Sequence, residues 1–148
     1  MDTLVDSLKQ LKQLRELTLI LPEIFRDEHL IAIFTSLLLL EELYVSGLEI
    51  NDIVLESLAG IQNLRSVTLS GISKFTTDGL LEYISRLGPG NSGIRIHVDM
   101  ADPETILGES DQILIKDCLA KKTGGSLEYM VFRGRHDCSV CLGSTDNP

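Results

Sequence analysis

Tryptophan is absent from this chain of 148 residues, and aromatics amount to only 5%. Its core cannot be built around large rings. The apolar content, 43% of residues, is largely leucine and isoleucine, which suits a core of many thin layers. Cysteine is also scarce. The three cysteines, Cys118, Cys138 and Cys141, are odd in number and unevenly placed; they form no disulfide framework and point to a reducing compartment, cytoplasmic or nuclear. Long apolar runs are missing, since a run such as SLLLL at residues 36–40 falls far short of the roughly 18 residues a membrane-crossing helix requires. The amino-terminal MDTLVDSLKQ lacks the basic-then-apolar order of a secretory signal. Basic residues are in deficit, 13 against 22 acidic, for a net charge of −9 at pH 7. Nucleic acid and anionic membranes are therefore poor partners for the molecule as a whole. The acid is spread out, with no block of like charge to mark an interaction tail.

What the chain does have is a repeat. The spacing L-x-x-L-x-L occurs at Leu14, Leu17 and Leu19, again at Leu40, Leu43 and Val45, and again at Leu64, Val67 and Leu69. A fourth, degraded copy has Gly93 in the leading place, followed by Ile96 and Val98. Leu127, Met130 and Phe132 give the fifth. Between copies the apolar period becomes helical, as in RDEHLIAIFTSLL, where Leu30, Ile33, Phe34, Leu37 and Leu38 share one face.

Cap and stop residues fall between copies in a constant order. NDIVLESLAG offers Asn51 or Asp52 as N-cap, Ile53, Leu55 and Leu58 as the apolar side, and Gly60 as the end. TTDGLLEYISRLGPG offers Thr76 or Thr77 as cap, turns Leu80, Leu81, Ile84 and Leu87 inward, and stops at Gly88-Pro89-Gly90. The last helix, ESDQILIKDCLAKKTGG, ends at Gly124 and Gly125. DTLVDSLKQL reads as the helix of an earlier, partial unit. Each unit is thus a strand plus a helix, and neither buries its apolar side alone, so neighbours must stack until a core closes between a parallel sheet and a row of helices. The fold class is α/β: a solenoid of about five strands over residues 1–133, with the parallel sheet concave and the helices convex. Residues 134–148 carry no apolar period and are expected to form a disordered tail.

This pattern resembles the leucine-rich-repeat superfamily, and more narrowly its long-repeat subtype with a full outer helix, as in ribonuclease inhibitor. LRSVTLSGISKFTTDGLLEYISRLGPGNSG, with ADPET and GGSLEYMVFRGR, resembles the carboxy-terminal repeats of fungal F-box leucine-rich-repeat-like proteins. The resemblance implies repeats that hold a substrate for a ubiquitin ligase, with an F-box docking on the ligase adaptor. LPEIFRDEHLIAIF from Leu21 has the Leu-Pro start of an F-box, yet Leu17, Leu19, Leu40 and Leu43 claim that region for the repeat register. The chain is expected to lack an F-box and to open inside a repeat; the alternative is a truncated fragment without independent activity.

Side chains that alternate with the inward leucines lie on the open face of the sheet. The first row is expected to run Glu16, Glu42, Ser66, Arg95, Tyr129; the central row Thr18, Tyr44, Thr68, His97, Val131; the third Ile20, Ser46, Ser70, Asp99, Arg133. Of these, Glu42, Tyr44, Arg95, His97, Tyr129 and Arg133 are the expected protein-binding residues, because aromatic and arginine side chains most often anchor interfaces. Arg95, His97 and Asp99 share a face with Ser66, Thr68 and Ser70, which brings together the residue types of a hydrolase triad. Alternate positions on one strand stand nearly 7 Å apart, too far for the acid to orient the histidine, so an enzyme using His97 is the weaker alternative. His29 is expected to be solvated or near a helix cap, and Cys118 to be a small core residue. The glycine-rich GPGNSG lacks the Lys-Ser/Thr of a phosphate loop and reads as a turn. In the tail, Cys138 and Cys141 have the spacing of a first zinc-ligand pair and His136 offers a third ligand, but a closed tetrahedral site needs four. No metal or cofactor is expected, and the partner is a protein, within a ubiquitin-ligase complex in the narrow reading.

Overall fold

The alternation of apolar and polar residues produces five short strands, and the helical period between them produces the connections. The computed structural model describes residues 2–20, 25–47, 49–71, 74–101 and 106–131. In chain order the elements are α1 (Asp2–Lys9), β1 (Glu16–Ile20), α2 (Asp27–Ser36), β2 (Glu42–Ser46), α3 (Asp52–Leu58), β3 (Ser66–Ser70), α4 (Thr77–Ser85), β4 (Arg95–Ala101), α5 (Glu109–Thr123) and β5 (Ser126–Val131). All pairings are parallel and sequential, β1-β2-β3-β4-β5, and each helix packs on the next from α1 to α5. This is an α/β fold with one parallel sheet, consistent with a leucine-rich-repeat-like solenoid.

The inward positions of the first four strands match the repeat spacing. Leu17 and Leu19, Leu43 and Val45, Val67 and Leu69, and Ile96 and Val98 are all buried. Against them lie Leu30, Ile33 and Phe34 of α2, Val54, Leu55 and Leu58 of α3, Leu80, Tyr83 and Ile84 of α4, and Ile115 and Leu119 of α5. Each such side chain contributes about 1.5–3 kcal/mol on leaving water. Successive units are also tied through the backbone: the Arg15 carbonyl accepts the N–H groups of Glu41 and Glu42, and the Glu41 carbonyl those of Arg65 and Ser66.

Asn51 caps α3 by accepting the Val54 N–H at 3.0 Å, and Thr76 caps α4 by accepting the Gly79 N–H at 3.0 Å. Gly124 closes α5 in the left-handed region at φ 70°, a conformation that glycine adopts without steric cost. The GPGNSG segment forms a 3-10 turn over Pro89–Asn91. Its Asn91 is 2% exposed. The side-chain amide donates to the carbonyls of Ile61 and Leu64 and its oxygen accepts the Gly88 N–H, so one buried residue satisfies three backbone groups at a place where two units meet.

Three apolar residues expected inward face solvent. Leu38 is 52% exposed and Ile53 60% exposed. Leu38 follows the end of α2, outside the helical period. Ile53 sits one residue before the buried pair Val54 and Leu55, a rotation of about 100° that carries it off the narrow stripe covering the sheet. Met130 is 55% exposed, for the reason given next.

Candidate sheet-face binding site

The open face is built by the residues between the inward ones, and the strand register decides which of them are neighbours. Glu16, Glu42, Ser66 and Arg95 stand side by side in the first row, as expected, and Thr18, Tyr44, Thr68 and His97 in the second. Ser46, Ser70 and Asp99 continue the third row from Ile20.

The fifth strand departs from the expected register. Arg95 pairs with Ser126, Ile96 with Leu127, His97 with Glu128 and Val98 with Tyr129. Leu127 therefore occupies the second apolar place of its repeat, not the leading one, which falls to Gly124. Gly93 and Gly124 are equivalent: both are left-handed, at φ 72° and 70°. Tyr129 consequently leaves the proposed binding row and turns inward beside Val98. It packs against the core, and its hydroxyl accepts the Leu107 N–H at 3.2 Å, fastening the segment that leads into α5. Val131 is likewise not in the central row but pairs with Ala101 beyond an irregularity between Val98 and Ala101. Arg133 lies outside the described residues, as do His136, Cys138, Cys141 and the expected tail.

Ser126 and Glu128 take the vacated places. Glu128 was not among the expected binding residues, and its carboxylate stands 2.9 Å from His97 Nδ1. Aligning SGIRIHV on GGSLEY by their glycines, Gly93 on Gly124, is the signal that finds both residues. The same pairing bears on catalysis. Among the described residues the His97 ring is held by Glu128 across the strands, and not by Asp99, Ser66, Thr68 or Ser70.

Two shallow hollows mark the face. One, about 190 Å³, lies over Glu16, Thr18, Glu42 and Tyr44 and reaches Ser66 and Thr68. The other, about 240 Å³, is lined by Ser66, Arg95, His97, Ser126 and Glu128. Ser66 belongs to both. Neither is the deep, mostly apolar cleft that encloses a small molecule. His29 sits at the start of α2, where its Nδ1 accepts the Arg26 N–H at 3.1 Å, and Cys118 packs half-buried against the core. Among the described residues no group of three or more His, Cys, Asp or Glu side chains could hold a metal ion.

The chain shares its fold with actin-binding site 2 of leiomodin-1. The two superpose with a TM-score of 0.65 over 96% of this chain and 85% of that one, at 13% sequence identity. No family model matches the sequence, and no curated protein is similar to it. A likeness at this identity is one of fold. No helix among the described residues is long and apolar enough to cross a membrane.

Proposed function

We propose that this chain is a protein-binding scaffold whose open sheet face receives a partner. The observation that carries the reading is the continuous register of five strands, which lines up Glu42, Tyr44, Arg95 and His97 on one broad, shallow and mostly polar surface. Such a face suits a macromolecule better than a small substrate. The solenoid is of the long-repeat, ribonuclease-inhibitor-like kind, its sheet side concave, and works inside the cell, in the cytoplasm or nucleus. It binds without catalysing: among the described residues no serine or threonine of the sheet face is hydrogen-bonded to His97, so the Glu128–His97 pair has no nucleophile in place beside it.

A photo-crosslinking residue at Thr68, compared with one at the solvent-facing Ile53 of α3, tests the reading in cell extract. Specific adducts from Thr68 alone support it; equal adducts from both positions, or none from Thr68, overturn it. The narrower reading, substrate recognition for an F-box-type ubiquitin ligase, is supported by the sequence resemblance alone. Co-precipitation of ligase subunits with the Thr68 adduct tests it. The leiomodin-1 domain is an actin-binding site, so purified actin is a second defined partner for the same crosslinking experiment.

A further inference from the structure

The open face is electrically divided, and the division specifies what kind of segment fits. Glu16 and Glu42 are directly opposite in register, both exposed, and neither has a cation within ion-pairing distance among the described residues. Like charges in that relation repel. Tyr44 lines the same hollow and is 38% exposed. Two carboxylates beside an aromatic ring form a seat for a lysine or arginine side chain. In the same row, Arg95 is exposed and without a carboxylate partner among the described residues. Ser66 stands between Glu42 and Arg95 and is too short to connect them. Two strand spacings separate the two charges, about 10 Å, so they do not neutralise one another directly. The nearby Glu128 is already engaged by His97.

We infer that the partner contributes an extended segment lying across the strands, with a basic side chain seated between Glu16, Glu42 and Tyr44 and an acidic one on Arg95. The inference rests on the protein-binding reading and specifies the chemistry of its ligand. In a polyproline-type conformation, residues three apart lie on the same side, about 9 Å from one another. That matches the spacing from Glu42 to Arg95. The conformation also leaves no internal hydrogen bonds to break and carries little ordering cost on docking.

The test uses the whole chain, labelled with ¹⁵N, titrated with four blocked peptides that differ only in the outer residues of a central tetrapeptide: Lys-Pro-Pro-Asp, Lys-Pro-Pro-Lys, Asp-Pro-Pro-Asp and the neutral Gln-Pro-Pro-Asn. The Lys-Pro-Pro-Asp peptide should bind about fivefold tighter than the others, the gain expected of two exposed ion pairs. Shifts should concentrate on β2, β3 and β4. Arg95→Glu should move the preference to the doubly basic peptide, and Glu16→Lys with Glu42→Lys to the doubly acidic one. Arg95→Gln, a milder change, should erase the advantage of Lys-Pro-Pro-Asp over Lys-Pro-Pro-Lys, which differ only at the residue facing position 95, and keep part of its advantage over the neutral peptide, while leaving the amide spectrum of the fold in place. The same ranking of peptides in all variants, or shifts centred on the helices, overturns the inference. If that happens while Thr68 still captures a partner, the binding face stands and only its charge pattern has been misread. Failure of both experiments removes the binding face itself.

Discussion

The Asp52 carboxylate holds Thr76 twice: one oxygen accepts the Thr76 N–H and the other the Thr76 hydroxyl, each at 2.8 Å. Asp52 is the first residue of α3 and Thr76 the N-cap of α4, so one helix start orients the next. The relation recurs a unit earlier, where Asn51, the cap of α3, donates to Asp27, the first residue of α2, at 2.7 Å. A carboxylate at a helix amino terminus is itself favoured by the helix dipole. Room for this contact is made by Gly79, where a Cβ would overlap the Asp52 carboxylate.

Removing either partner should therefore weaken the same cap. Asp52→Ala and Thr76→Ala are each expected to cost about 1–2 kcal/mol in urea unfolding. The double variant should lose less than the sum of the two, by at least about 0.5 kcal/mol. Strict additivity would show that the two residues act separately.

Asn91 is expected to be the most sensitive polar residue in the described chain. Its replacement by leucine leaves the Leu64 carbonyl without its donor, takes one of two donors from the Ile61 carbonyl, which keeps the Leu64 N–H, and removes the acceptor of the Gly88 N–H, at about 1–3 kcal/mol for each group that water cannot reach. Asn91→Asp should also destabilise, because a carboxylate cannot donate to the two carbonyls. A melting temperature within a degree or two of the parent in both variants would refute the bridging role.

Tyr83 presents the opposite case, a polar atom whose removal should help. Its ring is buried in α4 and its hydroxyl has no hydrogen-bond partner among the described residues. Tyr83→Phe is expected to raise stability by about 1 kcal/mol at neutral pH. Burial also pushes the phenol pKa well above its ordinary value of 10.0. Above about pH 10 the unfolded chain releases this proton while the folded chain keeps it, so stability falls as pH rises, by about 1.4 kcal/mol per unit. The phenylalanine variant should lose this component of the alkaline decline. Parallel pH profiles for parent and variant would contradict the assignment.

The features legible in the sequence are those decided locally. The order of strands and helices, the caps at Asn51 and Thr76, the stop at Gly124 and the first four strands' outward rows all follow from period and capping chemistry within a few residues. The exposed Ile53 and Leu38 were not legible, because a composition of leucine and isoleucine does not say how wide a stripe the neighbouring helices will cover. The bridging by Asn91 joins residues some thirty positions apart and leaves no local period. The register of β5 was missed because Leu127 satisfies the leading place of the repeat as well as the next one. What decides between them is backbone conformation: Gly124 adopts the left-handed turn that Gly93 adopts one unit earlier. That choice moved Tyr129 out of the candidate site and brought Glu128 in.

The register of β5 makes a prediction that separates the two readings with adjacent substitutions. With Tyr129 beside Val98, Tyr129→Ala removes a ring packed on the core together with the acceptor for the Leu107 N–H, and should cost about 2–4 kcal/mol. Met130 faces solvent, so Met130→Ala should change stability by less than about 0.5 kcal/mol. In the register expected from the leucine spacing the order reverses: Met130 would fill the core and Tyr129 would lie on the binding face, dispensable for folding. A strand has a period of two, so a slip by an odd number of residues exchanges its faces completely and no intermediate result is available. Urea unfolding of the two variants decides the register, and with it whether Glu128 or Tyr129 belongs to the surface offered to a partner.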